Sequence, residues 1–355
     1  MPTANFKPAA FRAALLRWYH EHARSLPWRG TQDAYRIWIS EVMLQQTQIA
    51  TVIPYYERFL RAFPELKCLA AARFEKVAAQ WSGLGYYRRA RHLHLAAQKI
   101  MSDFEGKFPS DYGQARTLPG VGHYTACAVL SMAYRVPLAV LDGNVARVMA
   151  RFYAVKGNLQ DAEFRRFVDL KLRDLISTRK PGDFNHAMME LGQTLCLPLR
   201  PQCQACPLGS GCLARRTGSP EDYPEPRTRR AIERHYLAVA IIRKERKMAL
   251  VRGLDDGLLN DLWNFPAAFG DSERQAAMNL KLKLKAVTGA RCRIGAAAGV
   301  VRHGITFRSI RVSLHSAEIP HDCEGSFRWL SSQSLDRAAV SQLARKIANA
   351  VQNGS

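Results

Sequence analysis

Residues 118–126 read LPGVGHYTA, a short glycine-rich turn that leads into a predicted helix starting near Tyr124. Glycines at positions 120 and 122 let the backbone turn tightly and approach a ligand closely. The amide groups of Leu118, Gly120, Gly122 and the following helix N-terminus can bind a DNA phosphate without reading a base. Turns of this kind join helices in many proteins, so the turn alone predicts a connection between two helices and no specific function.

A second motif, VLDGN at residues 140–144, opens the next predicted helix. Asp142 stands where a carboxylate commonly caps a helix by accepting hydrogen bonds from backbone amides. From its spacing alone, capping is the better interpretation of Asp142, and a chemical role has to be argued from other residues.

Around these two motifs, residues 1–213 are predicted to form helix after helix, joined by short connections that contain glycine or proline. The predicted helices are Tyr35–Thr47, Val52–Ala62, Arg88–Phe104, Tyr124–Tyr134, Val145–Val155 and Asp183–Leu195. Phe11, Leu15, Trp18 and Tyr19 also fall at helical spacing and indicate a first helix. We therefore expect an all-α domain over residues 1–213.

The pattern changes after residue 213. Residues 214–234 contain one glycine and three prolines among charged side chains, which is typical of a solvated linker. Beyond the linker we predict a buried strand at Tyr236–Ile242, a pairing strand at Lys247–Arg252, a further strand at Ile310–Leu314 and a helix at Asn279–Val287. Residues 235–355 are thus expected to form an α+β domain, which makes the protein multidomain.

Four of the eight cysteines, Cys196, Cys203, Cys206 and Cys212, follow one another with the spacing C-x6-C-x2-C-x5-C. Zinc modules usually combine two C-x2-C pairs, whereas four thiolates also hold a [4Fe–4S] cluster. Because this segment has one close pair and unequal outer spacings, it indicates a metal centre and favours iron–sulfur over zinc. The other four cysteines are interpreted as buried or incidental thiols.

The chain is strongly basic, with 52 Lys and Arg against 30 Asp and Glu and a net charge of +22. Such a surplus suits nucleic acid first and an anionic membrane second, although a generally basic proteome would also produce it. We find no basic amphipathic helix with a bulky apolar face and no apolar run long enough to span a bilayer, so we expect no membrane. The N-terminus lacks the apolar core of a signal peptide, and we expect a cytoplasmic, nucleoid-associated protein with reduced thiols.

Read in order, LPGVG-x-YTA, LDGNV-x-RV and the four-cysteine segment resemble the endonuclease III superfamily of helix-hairpin-helix enzymes. Three N-terminal motifs make the chain most similar to the MutY-type adenine DNA glycosylases: LPWR at 26–29, SEVMLQQT at 40–47 and GLGYY at 83–87. The similarity covers almost the whole chain. It implies a glycosylase domain with a [4Fe–4S] cluster, acting as a monomer in base excision repair on duplex DNA that holds adenine opposite 8-oxoguanine or guanine.

The resemblance also assigns the chemistry. It implies that Glu41 is the general acid that protonates adenine at N7, and that its pKa is raised by desolvation. Asp142 then stabilises the cationic sugar, electrostatically or by transient covalent attachment. Asn144 and Tyr124 orient the two carboxyl groups. Endonuclease III enzymes carry a Schiff-base lysine where this chain has Tyr124, so a monofunctional enzyme with little or no lyase activity is expected.

The remaining site residues are implied in the same way. Adenine must leave the base stack to reach the acid. Gln46, Thr47 and Tyr86 resemble the residues that fill the resulting gap and wedge beside the lesion, while Trp28 and Arg29 resemble part of the adenine pocket. Without the resemblance, Trp28 and Tyr86 would be interpreted as ordinary core aromatics.

The motif LWNFP at residues 262–266 resembles the C-terminal, Nudix-like lesion-recognition domain of the same family. A catalytic Nudix enzyme needs a glutamate-rich helix, and the equivalent stretch Asn279–Thr288 holds no acidic residue. Family members carry H-x-F-S-H in the lesion-reading loop, where this chain has His303-Gly304-Ile305-Thr306-Phe307. Thr306 supplies a hydroxyl in place of the serine, but Phe307 cannot donate the hydrogen bond of the histidine.

Three other functions fit the sequence less well than adenine excision. An endonuclease III-like enzyme for oxidised pyrimidines is opposed by Tyr124 and by the extra domain. A non-catalytic DNA-binding protein is opposed by the joint presence of Glu41 and Asp142. A Nudix nucleotide hydrolase is opposed by the acid-free stretch Asn279–Thr288.

Overall fold

A computed structural model of the chain describes residues 7–226, 228, 231–254, 262–305, 307–320, 323 and 327–353. Contacts divide the chain into two compact units. The first unit comprises Met1–Ala70 and Leu95–Thr228, and the second comprises Ala71–His94 and Arg229–Ser355. Nothing in the residue pattern indicates that residues 71–94 group with the C-terminal part of the chain.

Residues 7–213 are helical, as the sequence predicts, and a short helix at Leu213–Arg216 continues into the stretch 214–234 that is predicted to be a linker. The helices are α1 (Pro8–His22), α2 (Ala34–Leu44), α3 (Ile49–Ala62), α4 (Leu66–Ala70), α5 (Phe74–Trp81), α6 (Arg88–Asp103), α7 (Tyr112–Arg116), α8 (His123–Ala133), α9 (Gly143–Tyr153), α10 (Ala162–Leu175), α11 (Pro181–Thr194) and α12 (Leu213–Arg216). Each of the six helices predicted by range is confirmed, with ends that differ by up to three residues. The all-α character of the region is therefore confirmed.

Aspartate caps define where several of these helices begin. The side chain of Asp33 accepts from the amides of Tyr35 and Arg36 at the start of α2. Asp161 caps α10 and Asp142 caps α9 in the same manner. A cap of this kind satisfies amides that have no partner inside the helix and contributes about 1 kcal/mol, so these residues fix helix starts locally.

The first unit is built around α8, which is buried on all sides from Thr125 to Met132. A helix that is apolar all round belongs in a core, and α8 contacts α2, α7 and α11. Phe11 of α1 packs edge-on against Phe152 of α9, with ring centroids 5.0 Å apart. The helices that carry the predicted catalytic residues, α2, α8 and α9, therefore belong to one packed core.

Beyond residue 230, the described part of the second unit contains two sheets and three helices. Its elements beyond residue 230 are β1 (Glu233–Ile241), β2 (Arg243–Lys244), β3 (Lys247–Arg252), β4 (Trp263–Asn264), β5 (Ala267–Gly270), α13 (Glu273–Thr288), β6 (Arg293–Ile305), β7 (Arg308–Glu318), β8 (Arg328–Ser331), α14 (Ser332–Arg337) and α15 (Gln342–Asn353). One sheet has the order β5-β1-β7-β6, with β1 and β7 parallel and the other pairs antiparallel. A second sheet has the order β2-β3-β4, and β8 pairs with β3.

The strand β1 is buried on both faces, because helices cover both sides of its sheet. Leu237 and Val239 belong to the core cluster that contains Leu343 and Ile347 of α15. Ala238, between them, belongs to the opposite cluster, which contains α13. Alternation of side chains along a strand separates the two cores, and the continuous apolar run of this strand follows from that burial.

Two sequence predictions are corrected here. The expected pairing of Tyr236–Ile242 with Lys247–Arg252 is wrong as a ladder, since β1 pairs with β5 and β7 while β3 pairs with β2, β4 and β8. The helix expected at Asn279–Val287 begins earlier, at Glu273, so α13 does contain one acidic residue. That residue is held by Arg311 of β7, and α13 still lacks the run of glutamates of a catalytic Nudix helix.

Among the described residues, none of the helices has both the length and the apolar character needed to cross a lipid bilayer.

Candidate active site

Glu41 lies on α2 with its side chain enclosed in the first unit, where the residue is 3% exposed. A carboxyl group is rarely buried to this extent unless it is paired or functional. Its neighbours on α2 are buried as well, from Ile37 to Met43, so the helix carries the carboxyl into the core as part of its own packing.

Tyr124 supplies a hydrogen bond to this carboxyl. Its hydroxyl donates to Glu41 Oε2 over 2.9 Å, and Met189 Sδ of α11 lies 3.2 Å from the same hydroxyl. Burial, together with the charges of Glu41 and Asp142, raises the pKa of Tyr124 well above its ordinary value, so the phenol stays protonated and acts as a donor. Tyr124 donates to Oε2 and not to the other carboxyl oxygen, so Glu41 Oε1 is the oxygen that can carry a proton.

Asp142 caps α9 and is locked by its own helix. Its Oδ1 accepts from the amides of Asn144 at 2.9 Å and Val145 at 2.7 Å. Its Oδ2 accepts from the side-chain amide of Asn144 at 3.0 Å. The capping interpretation of Asp142 is thus correct as far as it goes, and the cap fixes the orientation of its carboxyl group at the N-terminal end of α9.

These contacts set the protonation of Glu41. Burial raises its pKa from 4.5 to about 7, the Tyr124 hydrogen bond offsets part of that rise, and the negative charge of Asp142 adds to it. Two carboxyl groups that share a buried region tend to hold one proton between them. Glu41 therefore keeps its proton to a higher pH than an exposed glutamate does, and it does so near Asp142.

A further buried carboxylate, Glu190 of α11, is held by two arginines. Arg24 Nε donates to its Oε1 at 2.6 Å, and Arg29 donates to its Oε2 at 2.5 Å. Burial alone would raise the pKa of Glu190, but the bonds and charges of the two arginines outweigh burial and lower that pKa to about 2. Glu190 is therefore ionised under the same conditions in which Glu41 holds its proton.

Sequence reasoning missed Arg24, Glu190 and their neighbour His186. Burial and the charge of Arg29 lower the pKa of His186 to about 4, so its imidazole is neutral. The one signal for these residues is the spacing of His186, Met189 and Glu190, which puts them on one face of a helix. That spacing is equally typical of a packing face, so it could not have identified a site.

Arg147, one turn into α9, joins the Asp142 cap to the cysteine segment. It donates to Asn144 Oδ1 at 2.9 Å, to the Gly192 carbonyl at 2.7 Å and to the Cys196 carbonyl at 2.8 Å. A Cβ at Gly192 would come within 2.7 Å of Asn144 Cβ, so the glycine allows α9 and α11 to approach each other. Asn144, which orients Asp142, is therefore linked through Arg147 to the backbone carbonyl of Cys196, the first cysteine of the segment.

The glycine-rich turn has the geometry its sequence predicts. Gly120 has a φ of +75°, a region that favours glycine. Gly122 is the N-cap of α8 and provides no side chain to cap its amides, and nothing lies within 4 Å of the position a Cβ would occupy. Leu118 is buried and anchors the turn. The open amide end of α8 suits an anion such as a phosphate.

The other sequence-predicted residues lie in different surroundings. Trp28 is 4% exposed and packs edge-on against Tyr56. Gln46 has a φ of +58° directly after α2, and Thr47 follows it. Tyr86 belongs to the second unit and is 44% exposed. Thr306 lies outside the described residues.

The four clustered cysteines line one recess together with the buried Arg151. Arg151 donates to Cys196 Sγ at 3.4 Å. Within the described part of the chain, no three His, Cys, Asp or Glu side chains form a group that could hold a single metal ion. A [4Fe–4S] cube takes one thiolate at each of four irons, so its ligands need not converge on a point. Four thiols around one recess, beside a buried cation, fit an anionic cluster.

Known proteins that are similar to this chain are DNA-repair glycosylases. Residues 39–172 match the family described as HhH-GPD superfamily base excision DNA repair protein. The chain is 33% identical to the adenine DNA glycosylase of Mus musculus, across 95% of this chain and 77% of that protein. It is 32% identical to that of Homo sapiens, across 95% and 73%. The adenine DNA glycosylase of Buchnera aphidicola (strain APS) is 35% identical, across 72% and 73%.

Solved structures resemble the helical part of the chain. A thermostable thymine-DNA glycosylase superposes with a TM-score of 0.54 at 26% identity, covering 59% of this chain and 97% of that one. An endonuclease III in a non-covalent DNA complex gives 0.51 at 23% identity, covering 61% and 99%. The likeness to endonuclease III is one of fold alone. Both solved structures indicate the helical glycosylase architecture.

We expect Glu41→Gln to stabilise the folded protein at pH 8. The pKa of Glu41 is raised from 4.5 to about 7 on folding, so the folded state binds the proton more tightly and stability falls as pH rises between these values. Glutamine keeps the shape and does not ionise, so the variant should gain on the order of 2–3 kcal/mol at pH 8 and little near pH 4.5. Urea unfolding at both pH values measures this.

Glu190→Gln is the matched control, because the pKa of that carboxyl is lowered to about 2. Its ionised form stabilises the fold above pH 4.5, so the control should lose stability at pH 8. A stability difference between Glu41→Gln and wild type that does not change with pH would contradict the raised pKa of Glu41.

Proposed function

Because this chain belongs to the adenine DNA glycosylases of the HhH-GPD superfamily of base excision DNA repair proteins, we propose that it excises adenine paired with 8-oxoguanine, or with guanine, in duplex DNA. As a DNA glycosylase it hydrolyses the N-glycosidic bond between base and deoxyribose. The pairing partner of the adenine, the residues that act and the order of the steps are our proposal.

The observation that carries the mechanism is the buried Glu41 carboxyl with a pKa of about 7 close to the Asp142 carboxylate. Adenine is a poor leaving group as an anion, so the base must be protonated as it leaves. Glu41 gives its proton to N7, and the C1′–N9 bond breaks with its electron pair passing to the base. A pKa near the working pH is the optimum for such a donor.

The second carboxylate acts on the sugar. Loss of the base leaves positive charge on C1′ and the ring oxygen, and the Asp142 carboxylate stabilises that charge. Water then adds to C1′, and its proton passes to the Glu41 carboxylate. Asn144 keeps Asp142 in place through the 3.0 Å bond to Oδ2, and the helix cap satisfies the other oxygen, so neither interaction has to form during the reaction.

Tyr124 distinguishes this reaction from that of an endonuclease III-like enzyme for oxidised pyrimidines. A lysine at this position could attack the sugar and form a Schiff base, and a phenol cannot. Tyr124 is also occupied as a donor to Glu41. This supports a monofunctional enzyme with little or no lyase activity and disfavours an endonuclease III-like reaction on oxidised pyrimidines.

DNA contacts are proposed at three places. The turn Leu118–Gly122 offers backbone amides and a helix end to a phosphate, and the +22 net charge supports a polyanionic partner. Gln46, Thr47 and Tyr86 fill and wedge the gap left by the extruded adenine. Trp28 and Arg29 border the adenine pocket, and the proximity of Arg29 to Glu41 is consistent with that assignment, since the Arg29 charge lowers the pKa of Glu41.

Residues 235–355 are proposed to be Nudix-like and to recognise the oxidised guanine. Their mixed sheet with helices on both faces supports such a fold. Because α13 holds one acidic residue, which is bound by Arg311, we propose no diphosphate hydrolysis here. The role of Thr306 remains a prediction of the sequence.

The four cysteines are proposed as ligands of a [4Fe–4S] cluster, as in the endonuclease III superfamily. Cys196, Cys203, Cys206 and Cys212 would hold it in the recess beside Arg151. The cluster would supply a fixed anionic cross-link in a segment that has little regular secondary structure. Through the Cys196 carbonyl and Arg147, this cross-link supports the position of Asn144.

We expect Glu41→Gln to bind DNA normally and to release adenine at least about a hundredfold more slowly, because the amide cannot donate the proton. Single-turnover strand scission after hot alkali measures the rate on duplexes with adenine opposite 8-oxoguanine, guanine or thymine. Wild type should act on the first two and spare the third. Glu57→Gln, at an exposed position of α3, should behave as wild type. Activity of Glu41→Gln within a few-fold of wild type would remove Glu41 from the acid role.

The rate should also follow the protonation of Glu41. Above about pH 7, kcat/KM for adenine release should fall tenfold per pH unit, because the free enzyme loses the donated proton. Tyr124→Phe removes a hydrogen bond that lowers the pKa of Glu41, so the falling limb should move to higher pH in that variant. A limb that stays in place or moves to lower pH would show that Tyr124 does not stabilise the ionised Glu41.

Anaerobically purified protein should contain about four irons and no stoichiometric zinc. Cys203→Ser should lower the iron content and the thermal stability, because the cysteine segment loses its cross-link. Cys292→Ser, in the second unit, is the control and should leave the iron content unchanged. Zinc at one ion per chain, without iron, would show that the cluster assignment is wrong.

A further inference from the structure

The loop between α5 and α6 presents an exposed aromatic side chain on an unfavourable backbone. Tyr86 is 44% exposed, and its φ is +49°. Gly83 and Gly85 beside it also have positive φ, at +99° and +80°. A left-handed conformation costs a residue other than glycine roughly 1–2 kcal/mol, so surrounding contacts must hold Tyr86 in this position.

Some of these contacts come from the segment itself. Trp81 Nε1 and Arg89 both donate to the Gly85 carbonyl, at 3.1 and 3.2 Å. The Arg89 guanidinium also lies 5.4 Å from the centre of the Tyr86 ring. The Gly83 amide donates to the Tyr87 hydroxyl at 2.9 Å. Hydrogen bonds within the segment therefore close the turn between Trp81 and Arg89.

Other contacts come from the C-terminal end of the chain. The hydroxyls of Ser82 and Tyr87, on either side of the loop, both donate to the Val340 carbonyl, at 2.9 and 3.2 Å. Arg345 of α15 donates twice to the Ser82 hydroxyl, from Nε at 3.2 Å and from a terminal nitrogen at 2.9 Å. Ser82 and Val340 are both buried. Water therefore cannot readily replace these bonds.

The C-terminal anchors are themselves well fixed. Val340 forms a bridge with Trp263 of the LWNFP motif, and the Ser341 amide donates to the Trp263 carbonyl at 3.3 Å. The buried Ser341 hydroxyl accepts from the Ala344 amide at 2.9 Å. Residues 340–345 thus join the LWNFP motif to α15 and provide a rigid base for the loop.

We propose that Arg345 and Ser82 form a positioning pair through which the C-terminal residues of the second unit hold the Tyr86 loop ready for a damaged duplex. The pair acts through the loop and does not touch the reacting atoms. Because a preformed loop loses less conformational freedom on binding, the pair contributes to affinity for DNA that carries the lesion pair. This inference rests on the proposed wedge role of Tyr86.

The chemistry of the pair supports a specific role. The Ser82 hydroxyl donates to the Val340 carbonyl and accepts from two nitrogens of Arg345, which is a charged donor. Hydrogen bonds from a charged group are roughly twice as strong as neutral ones. Removing Arg345 removes these two charged bonds to Ser82, so the loss should appear at the start of the loop, next to Gly83.

Three variants of the full-length holoprotein test the proposal. Arg345→Met keeps the aliphatic stem and removes the donors, Arg345→Lys restores one charged donor, and Ser82→Ala removes the acceptor. Arg243→Met is the matched control, because Arg243 also donates to α15, at the Val351 carbonyl over 3.0 Å. The first measurement is hydrogen exchange of the amides of residues 82–87 in protein without DNA.

We expect exchange in this loop to be about tenfold faster in Arg345→Met, intermediate in Arg345→Lys and unchanged in Arg243→Met. The double variant Ser82→Ala/Arg345→Met should match Ser82→Ala, because that single change already removes the acceptor of Arg345 as well as the donor to Val340. Equal exchange in Arg345→Met and Arg243→Met, or effects of the two single changes that simply add, would overturn the pair. This arm needs no glycosylase activity, so it decides the pair even if the proposed function fails.

The second measurement is affinity for a duplex with a non-cleavable adenine analogue opposite 8-oxoguanine, with an undamaged duplex beside it. Arg345→Met should weaken binding of the lesion duplex several-fold more than binding of the undamaged one. On the cleavable lesion duplex, KM should rise by a larger factor than kcat falls. In a Tyr86→Ala background the same change should have no further effect. An equal loss on both duplexes would show that Arg345 contributes only charge, and would overturn its link to the Tyr86 loop.

Discussion

Burial of the Glu41 carboxyl is the constraint on which the rest of the first unit depends. An acid that keeps its proton at neutral pH has to lose its contact with water, and that loss lowers stability whenever the group ionises. The surrounding helices compensate in a specific way. Tyr124 satisfies one oxygen at 2.9 Å and leaves the other available, while the charge of Asp142 opposes ionisation. The site therefore combines a group that lowers the pKa of Glu41 with one that raises it.

The arginines near this site create a second requirement. A free guanidinium close to Glu41 would favour its ionised form, and Arg29 does lower its pKa. Glu190 opposes this by taking a hydrogen bond from Arg29 at 2.5 Å and another from Arg24. The fully buried Glu190 is thereby the ionised partner of two cations. One buried carboxyl is kept ionised so that a second can remain protonated, and the difference between them comes from which of them receives the arginines.

Local features of the sequence were the ones that could be predicted. Helix starts are set by caps such as Asp33, within a few residues of the amides they bind, and the predicted helices are accordingly present. The partners of Lys247–Arg252 were predicted wrongly, because strand pairing depends on segments far away in the chain. Glu41 was identified through a family resemblance, since a buried glutamate on a helix has no local signature. Arg24 and Glu190 were missed because the contact joins positions 166 residues apart.

Contacts between residues far apart in the chain also explain why residues 71–94, in the middle of the helical region, pack within the second unit. The hydrogen bonds within the Tyr86 loop are supplemented by bonds from residues far along the chain. Functional sites often hold unfavourable backbone conformations, such as that of Tyr86, and depend on surrounding structure for the energy. For Tyr86 that structure is a serine, a carbonyl and an arginine, of which Val340 and Arg345 lie more than two hundred residues further along the chain. The conformation of the loop is therefore a property of the second unit, although the sequence of the loop lies among the helices of the first.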